Sequence, residues 1–132
     1  MTETTHELVT SPLLRYVGSV RLVEKPWGHE LIWALTDRYC GKLLLVREDH
    51  ALSLQLHERK DETLYLQSGL AEIEIGESAD ALDTALVSPG AAFRLQAGTV
   101  HRVRALEDCV FLEVSTPELD DVVRLEDRYG RA

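Results

Sequence analysis

The sequence predicts an all-β fold, a small antiparallel barrel or sandwich, on three observations. Apolar-rich segments of four to seven residues recur at roughly even spacing from about residue 29 onward, each bounded by turn-forming residues. Several alternate strictly, as where Ala71, Ile73 and Ile75 oppose Glu72 and Glu74 in "LAEIEIGE", the period of a strand with one buried face. The chain also lacks a βαβ rhythm, an internal repeat and any low-complexity tract, which sets aside the α/β and solenoid architectures.

Residues 1–23, polar at first and interrupted by Pro12, read as an N-terminal arm containing a short helix or strand. The barrel is expected over residues 24–116. Its strands are "HELIWAL", "GKLLLVRE", "ALSLQLH", "ETLYLQSG", "LAEIEIGE", "AAFRLQAG", "TVHRVRAL" and "VFLEVSTP", with "TDRYCG" and "EDC" as turns. "SADALDTALVSPG" reads as a loop. Residues 117–132 form an acid-rich C-terminal tail, either extended or helical at a start near Pro117.

Composition bounds the function. A chain of 132 residues is long enough for one domain with its own core. A net charge of −9, from 23 acidic and 14 basic residues, argues against nucleic acid or an anionic membrane as partner, though not against a small anionic ligand. No apolar run approaches the ~20 residues of a membrane span. "MTETTHELVTSPLL" lacks the basic and apolar regions of a signal peptide, so a cytoplasmic domain is expected. Cys40 and Cys109 follow no metal or redox spacing and read as small buried hydrophobes.

Chemistry concentrates in "LSLQLHERKDETLYLQSG". Strand alternation puts Gln55 and His57 on one face and Leu54 and Leu56 on the other, with Glu62 opening the next strand. Downstream, His101 follows the Gly98 turn. If these strands neighbour each other, Gln55, His57, Glu62 and His101 converge. Two imidazoles, a carboxylate and an amide oxygen suit one borderline divalent metal, Zn, Mn, Fe(II), Co or Ni, with open positions left for water or a substrate hydroxyl pair. His6, His29 and His50 lack such company.

These residues carry a resemblance. Gln55-x-His57-x4-Glu62-x6-Gly69 and Gly90-x5-Gln96-x-Gly98-x2-His101 resemble the two motifs of the cupin superfamily, with Gln55 in place of the first histidine, Gln96 in place of a proline and Ala105 in place of an asparagine. The glutamine, the "EKPWGHE" entry and the run "DDVVRLEDRYGR" are similar to the C-terminal module of type II mannose-6-phosphate isomerases, over residues 24–131. The resemblance implies a cupin double-stranded β-helix, a bound metal, a homodimer, and aldose–ketose isomerisation of a sugar phosphate such as mannose-6-phosphate. A metal cupin of another class (an Fe(II) oxygenase, a lyase or an epimerase) and a non-catalytic sugar- or metal-binding module remain as alternatives.

A sugar phosphate needs cations. Lys25, Arg47, Arg59 and Lys60 are the candidates, Lys25 and Arg59 foremost, with Arg128 and Arg131 able to fold back from the tail. Alternation points Arg102 and Arg104 outward. Isomerisation also needs a base, and Glu113 is the candidate: it lies opposite the apolar Val110, Leu112 and Val114, so it faces inward with Phe111 or outward as a surface carboxylate. Trp27 and Trp33 read as packing residues, Trp27 also as a platform for a sugar.

Overall fold

A computed structural model describes residues 2–4, 13 and 20–132. The strands are β1 (Thr2–Thr4), β2 (Val20–Lys25), β3 (Gly28–Leu35), β4 (Cys40–Val46), β5 (Leu54–Leu56), β6 (Glu62–Ser68), β7 (Ala71–Gly76), β8 (Leu82–Val87), β9 (Ala92–Leu95), β10 (Val100–Ala105), β11 (Cys109–Ser115) and β12 (Val123–Glu126). They form a seven-stranded sheet, β1-β2-β3-β4-β11-β6-β9, and a five-stranded sheet, β12-β5-β10-β7-β8. Every pairing is antiparallel. This is the all-β architecture that the strand spacing predicts.

Alternation explains how the layers close. In β11, Phe111 and Glu113 are buried while Leu112 and Val114 are exposed. In β10, His101, Val103 and Ala105 are buried, and Arg102 and Arg104 turn outward, Arg102 to Glu74 and Glu126. The inner faces of the two sheets meet in a core of Val46, Leu66, Leu95, Val103 and Phe111, where Phe93 meets Phe111 edge-on with centroids 6.5 Å apart. Cys40 and Cys109 are buried free thiols, as expected of small hydrophobes. Trp27 is buried, whereas Trp33 lies on the outer face of the large sheet against Gly41.

Gly28 is where the "PWG" turn meets its neighbour strand. Its φ is +154°, and a Cβ there would stand 1.8 Å from the carbonyl oxygen of Leu45, so only glycine lets β3 begin this close to β4.

The structure departs from the sequence reading at the 78–90 segment and at the boundary of the arm, and it decides the form of the tail. The expected loop 78–90 contains β8, which pairs with β7 from Ala71↔Val87 to Gly76↔Leu82. Asp83–Leu86 are exposed, so this edge strand carries no buried apolar alternation to announce it. Of the two forms open to the tail it takes the extended one: β12 pairs with β5 through Val123↔Leu56 and Arg124↔Gln55. At the other end, β2 crosses residue 23, where the arm was expected to give way to the barrel, and β1 pairs with β2 of the same chain. His6 lies outside the described residues.

Because Phe111 is fully buried, Phe111→Ala is expected to destabilise the fold by about 3–5 kcal/mol, and Leu112→Ala one residue along by about 0.5 kcal/mol or less, in denaturant titrations.

Candidate metal centre

The two sheets each bring part of the cluster. β5 and β10 pair at Gln55↔His101, placing these side chains together on the inner face of the small sheet. His57 follows β5 directly. Glu62 opens β6 of the large sheet and reaches across from the opposite wall. Glu62 Oε1 lies 3.4 Å from His57 Nε2 and 3.5 Å from His101 Nε2, and all three residues are buried. At metal–ligand distances of about 2.1 Å, ligand atoms sit about 3.0 Å apart at a right angle and about 3.4 Å apart at a tetrahedral one. The cluster therefore has the spacing of groups that share one ion.

The second nitrogen of each imidazole is already committed. His57 Nδ1 meets the backbone carbonyl of Asp121, and His101 Nδ1 lies 3.0 Å from that of Thr99. A carbonyl only accepts, so both Nδ1 atoms carry the proton and both Nε2 lone pairs face the cluster. His57 Nε2 is buried with no hydrogen-bond partner, the orphan that a cation would satisfy. Gln55 completes the group. Its Oε1 accepts from Ser53 Oγ at 2.7 Å, and its Nε2 lies 3.4 Å from His101 Nε2. Turning the amide over presents Oε1 to the centre and lets Nε2 donate to the same hydroxyl. The four residues expected to converge do so.

The tail holds this arrangement. The Asp121 carboxylate accepts the backbone N–H groups of Glu58, Arg59 and Lys60 at 3.0, 2.7 and 2.8 Å, fixing the turn between His57 and Glu62. These three bonds depress its pKa to about 2. Arg59 is therefore placed differently from the expectation: its N–H anchors the turn and its side chain is exposed beside Glu58. Lys60, its neighbour, points inward instead.

Buried Lys60 bridges two carboxylates, with Nζ 3.0 Å from Glu62 Oε2 and 3.1 Å from Glu113 Oε2. Burial opposes its charge, but Glu113 and Glu62 outweigh that and hold the ammonium well above the ordinary lysine range. Burial also opposes the charge of Glu62, yet hydrogen bonds from His101 and His57, which each ring donates when Nε2 is protonated instead of ligating, together with the charge of Lys60 keep this carboxyl far below the usual range. Glu113 moves the other way: burial first, then the negative charge of Glu62, push it up against Lys60 and Lys42. Alternation left two directions open for Glu113, and it faces inward.

Sequence reasoning passed over Lys42, buried on β4 opposite Glu113 and 3.4 Å from Glu30. The signal was present, since Lys42 shares the face of Leu44 and Val46. Lys25 and Arg131 line the cavity beside this cluster, as do Trp27 and Arg124. Arg47 and Arg128 instead bond the outer backbone at Pro26 and Asp49, and His50 stacks on Tyr129. The cavity has a volume of about 80 Å³, room for an ion and a few waters but short of the roughly 300 Å³ of a pocket that encloses a whole small ligand. A larger ligand must extend through the mouth, walled on one side by Leu119, Val122, Arg124 and Arg131 of the tail.

A small two-sheet β-barrel with this inward-facing cluster is a cupin, and solved cupins superpose on it. KdgF from Halomonas sp. matches with a TM-score of 0.65 at 25% identity, over 76% of this chain and 88% of that one. Oxalate decarboxylase from Lactobacillus farciminis matches with a TM-score of 0.70 at 16% identity, over 89% and 39%. Residues 16–127 match the family described as mannose-6-phosphate isomerase C-terminal, and the chain belongs to that family. Among curated proteins it is 31% identical over 119 residues to the xanthan biosynthesis protein XanB of Xanthomonas campestris pv. campestris, covering 84% of this chain and 24% of that protein. It is 29% identical over 116 residues to the mannose-1-phosphate guanylyltransferase ManC of Salmonella typhimurium, covering 84% and 23%. The chain thus spans about a quarter of the length of these relatives. Among the described residues, no helix is long and apolar enough to cross a membrane.

Two outcomes are expected of Asp121. Asp121→Ala frees the turn and the carbonyl that orients His57, so affinity for Zn or Co, read by calorimetric titration, should fall about 10- to 100-fold. The folded-state pKa of about 2 lies below the 3.8 of an unperturbed aspartate. The contribution of this carboxylate to stability is therefore complete above the higher value and lost as pH falls through the lower one. Between these limits the melting temperature of the wild type should fall more steeply than that of Asp121→Asn.

Proposed function

We propose that this chain is a metal-dependent aldose–ketose isomerase acting on a sugar phosphate such as mannose-6-phosphate, working as a cytoplasmic homodimer. The observation that carries the reading is Glu113, a buried carboxylate outside the ligand cluster yet tied to it through Lys60. Isomerisation moves the C2 proton to C1 while a hydroxyl proton passes from O2 to O1. It requires one base that both takes and returns the carbon-bound proton, and a counter-charge for the enediolate oxygens. Glu113 fits the base, with burial raising its proton affinity toward the working range. Lys60, held protonated within 3.1 Å of it, supplies a donor for the charged oxygens. Gln55, His57, Glu62 and His101 would hold the divalent ion, whose chemistry when bound is to polarise the carbonyl and its neighbouring hydroxyl.

Membership of the mannose-6-phosphate isomerase C-terminal family supports this reaction and substrate class. The exposed Trp33, Tyr65, Leu112 and Val114 on the outer face of the large sheet support a dimer packed through that face. The small cavity favours a second reading, a sugar- or metal-binding domain without turnover.

Coupled assays of mannose-6-phosphate and fructose-6-phosphate interconversion, with Zn, Mn, Fe(II), Co or Ni added, separate the two. The isomerase reading expects metal-dependent turnover that falls about 10²- to 10⁴-fold in Glu113→Gln, with metal affinity retained. Sugar binding without interconversion under any of these metals selects the second reading.

A further inference from the structure

The cationic side chains around the cavity differ in whether they are already paired. Lys42 faces Glu30, Lys60 sits between Glu62 and Glu113, and Arg131 makes a two-pronged contact with Asp127 at 2.9 Å on each arm. Arg124 is different. Its side chain makes no hydrogen bond or ion pair among the described residues, and its Nε is buried with no partner. The inner face of the small sheet aligns it with the metal cluster: Arg124 faces Gln55 across β12 and β5, and Gln55 faces His101 across β5 and β10. With strands about 4.8 Å apart, Arg124 stands roughly two strand spacings from His101, within a guanidinium's reach of a ligand seated at the ion. Lys25 lines the same cavity from the large sheet, and its side chain likewise has no hydrogen-bond or ion-pair partner among the described residues.

We propose that Arg124 is the anion-binding residue of this site, gripping the phosphoryl group of a metal-bound sugar from the C-terminal strand, with Lys25 as the second cation. This rests on the reading of the cavity as a sugar site. A buried guanidinium donor without a partner is retained where a ligand supplies the acceptor, and the planar fork of arginine matches two phosphoryl oxygens at once. The cavity is too small to enclose a hexose phosphate, so a sugar bound at the ion projects its far end to the mouth, where half-exposed Arg124 and Lys25 stand. A chain of net charge −9 would otherwise repel a dianion. Two cations that form no ion pair among the described residues, Arg124 feeling only the longer-range attraction of Asp127, reverse that locally.

The test is calorimetric titration of the zinc-loaded protein with mannose-6-phosphate, mannose and glucuronate, using wild type, Arg124→Met, Arg124→Lys and Lys25→Met. Wild type should bind mannose-6-phosphate at least tenfold more tightly than mannose. Arg124→Met should abolish that preference while leaving mannose binding and zinc affinity in place, Arg124→Lys should retain part of it, and Lys25→Met should lose a smaller share. A melting temperature for Arg124→Lys within a few degrees of wild type keeps the comparison valid should Arg124→Met misfold. No preference for the phosphorylated sugar in wild type, or a preference that survives in Arg124→Met and is unweakened in Arg124→Lys, overturns the proposal. So does an Arg124-dependent preference for glucuronate alone, which would make the anion a carboxylate. If the preference depends on Arg124 but no interconversion occurs, the anion site stands and the isomerase reading fails.

Discussion

Both walls of this barrel point lone pairs at one buried spot. Glu62 comes from the large sheet, while His57 and His101 come from the small one, and each imidazole has spent its proton-bearing nitrogen on a backbone carbonyl. Unsatisfied lone pairs inside a protein are costly, and a divalent cation is the group that satisfies them together. Much of the remaining structure serves that convergence. The Gln55↔His101 register aligns two side chains, the Asp121 carboxylate fixes the turn that sets His57 against Glu62, and Lys60 neutralises the carboxylates behind them.

The tail thereby becomes part of the site. Its Asp121 orients one imidazole through a carbonyl and pins the ligand turn through a carboxylate, and its β12 brings Arg124 beside Gln55. Metal geometry and the wall of the mouth are linked through one short segment. Any movement of residues 117–132 that widens the cavity for a sugar would also act on His57. A ligand that displaced the tail would act on His57 and the ligand turn through the hydrogen bonds of Asp121.

Much of this was legible in the sequence because period-two alternation is a direct record of which face is buried. It separated Gln55 and His57 from their leucines, turned Arg102 and Arg104 outward, and narrowed Glu113 to two directions. What alternation could not reach were positions set by pairing partners or by turns. β8 is ordered by main-chain pairing to β7, with little side-chain burial. In the ligand turn, neighbouring residues do not alternate as in a strand, so alternation could not separate two candidate cations: Arg59 points to solvent and Lys60 lies in the core. Arg124 escaped notice because its importance comes from β12 lying against β5, a contact between segments far apart in the chain.

The central claim is that His57, Glu62 and His101, with Gln55, form a site for one divalent ion. Titration of the chelator-treated protein with Co(II), followed by its visible absorption and by melting temperature, tests it most directly. One equivalent should bind with a ligand-field spectrum of mixed nitrogen and oxygen donors, raise the melting temperature, and lose both effects in His101→Ala. Absence of stoichiometric binding, or a melting temperature unmoved by metal and chelator alike, would contradict the account.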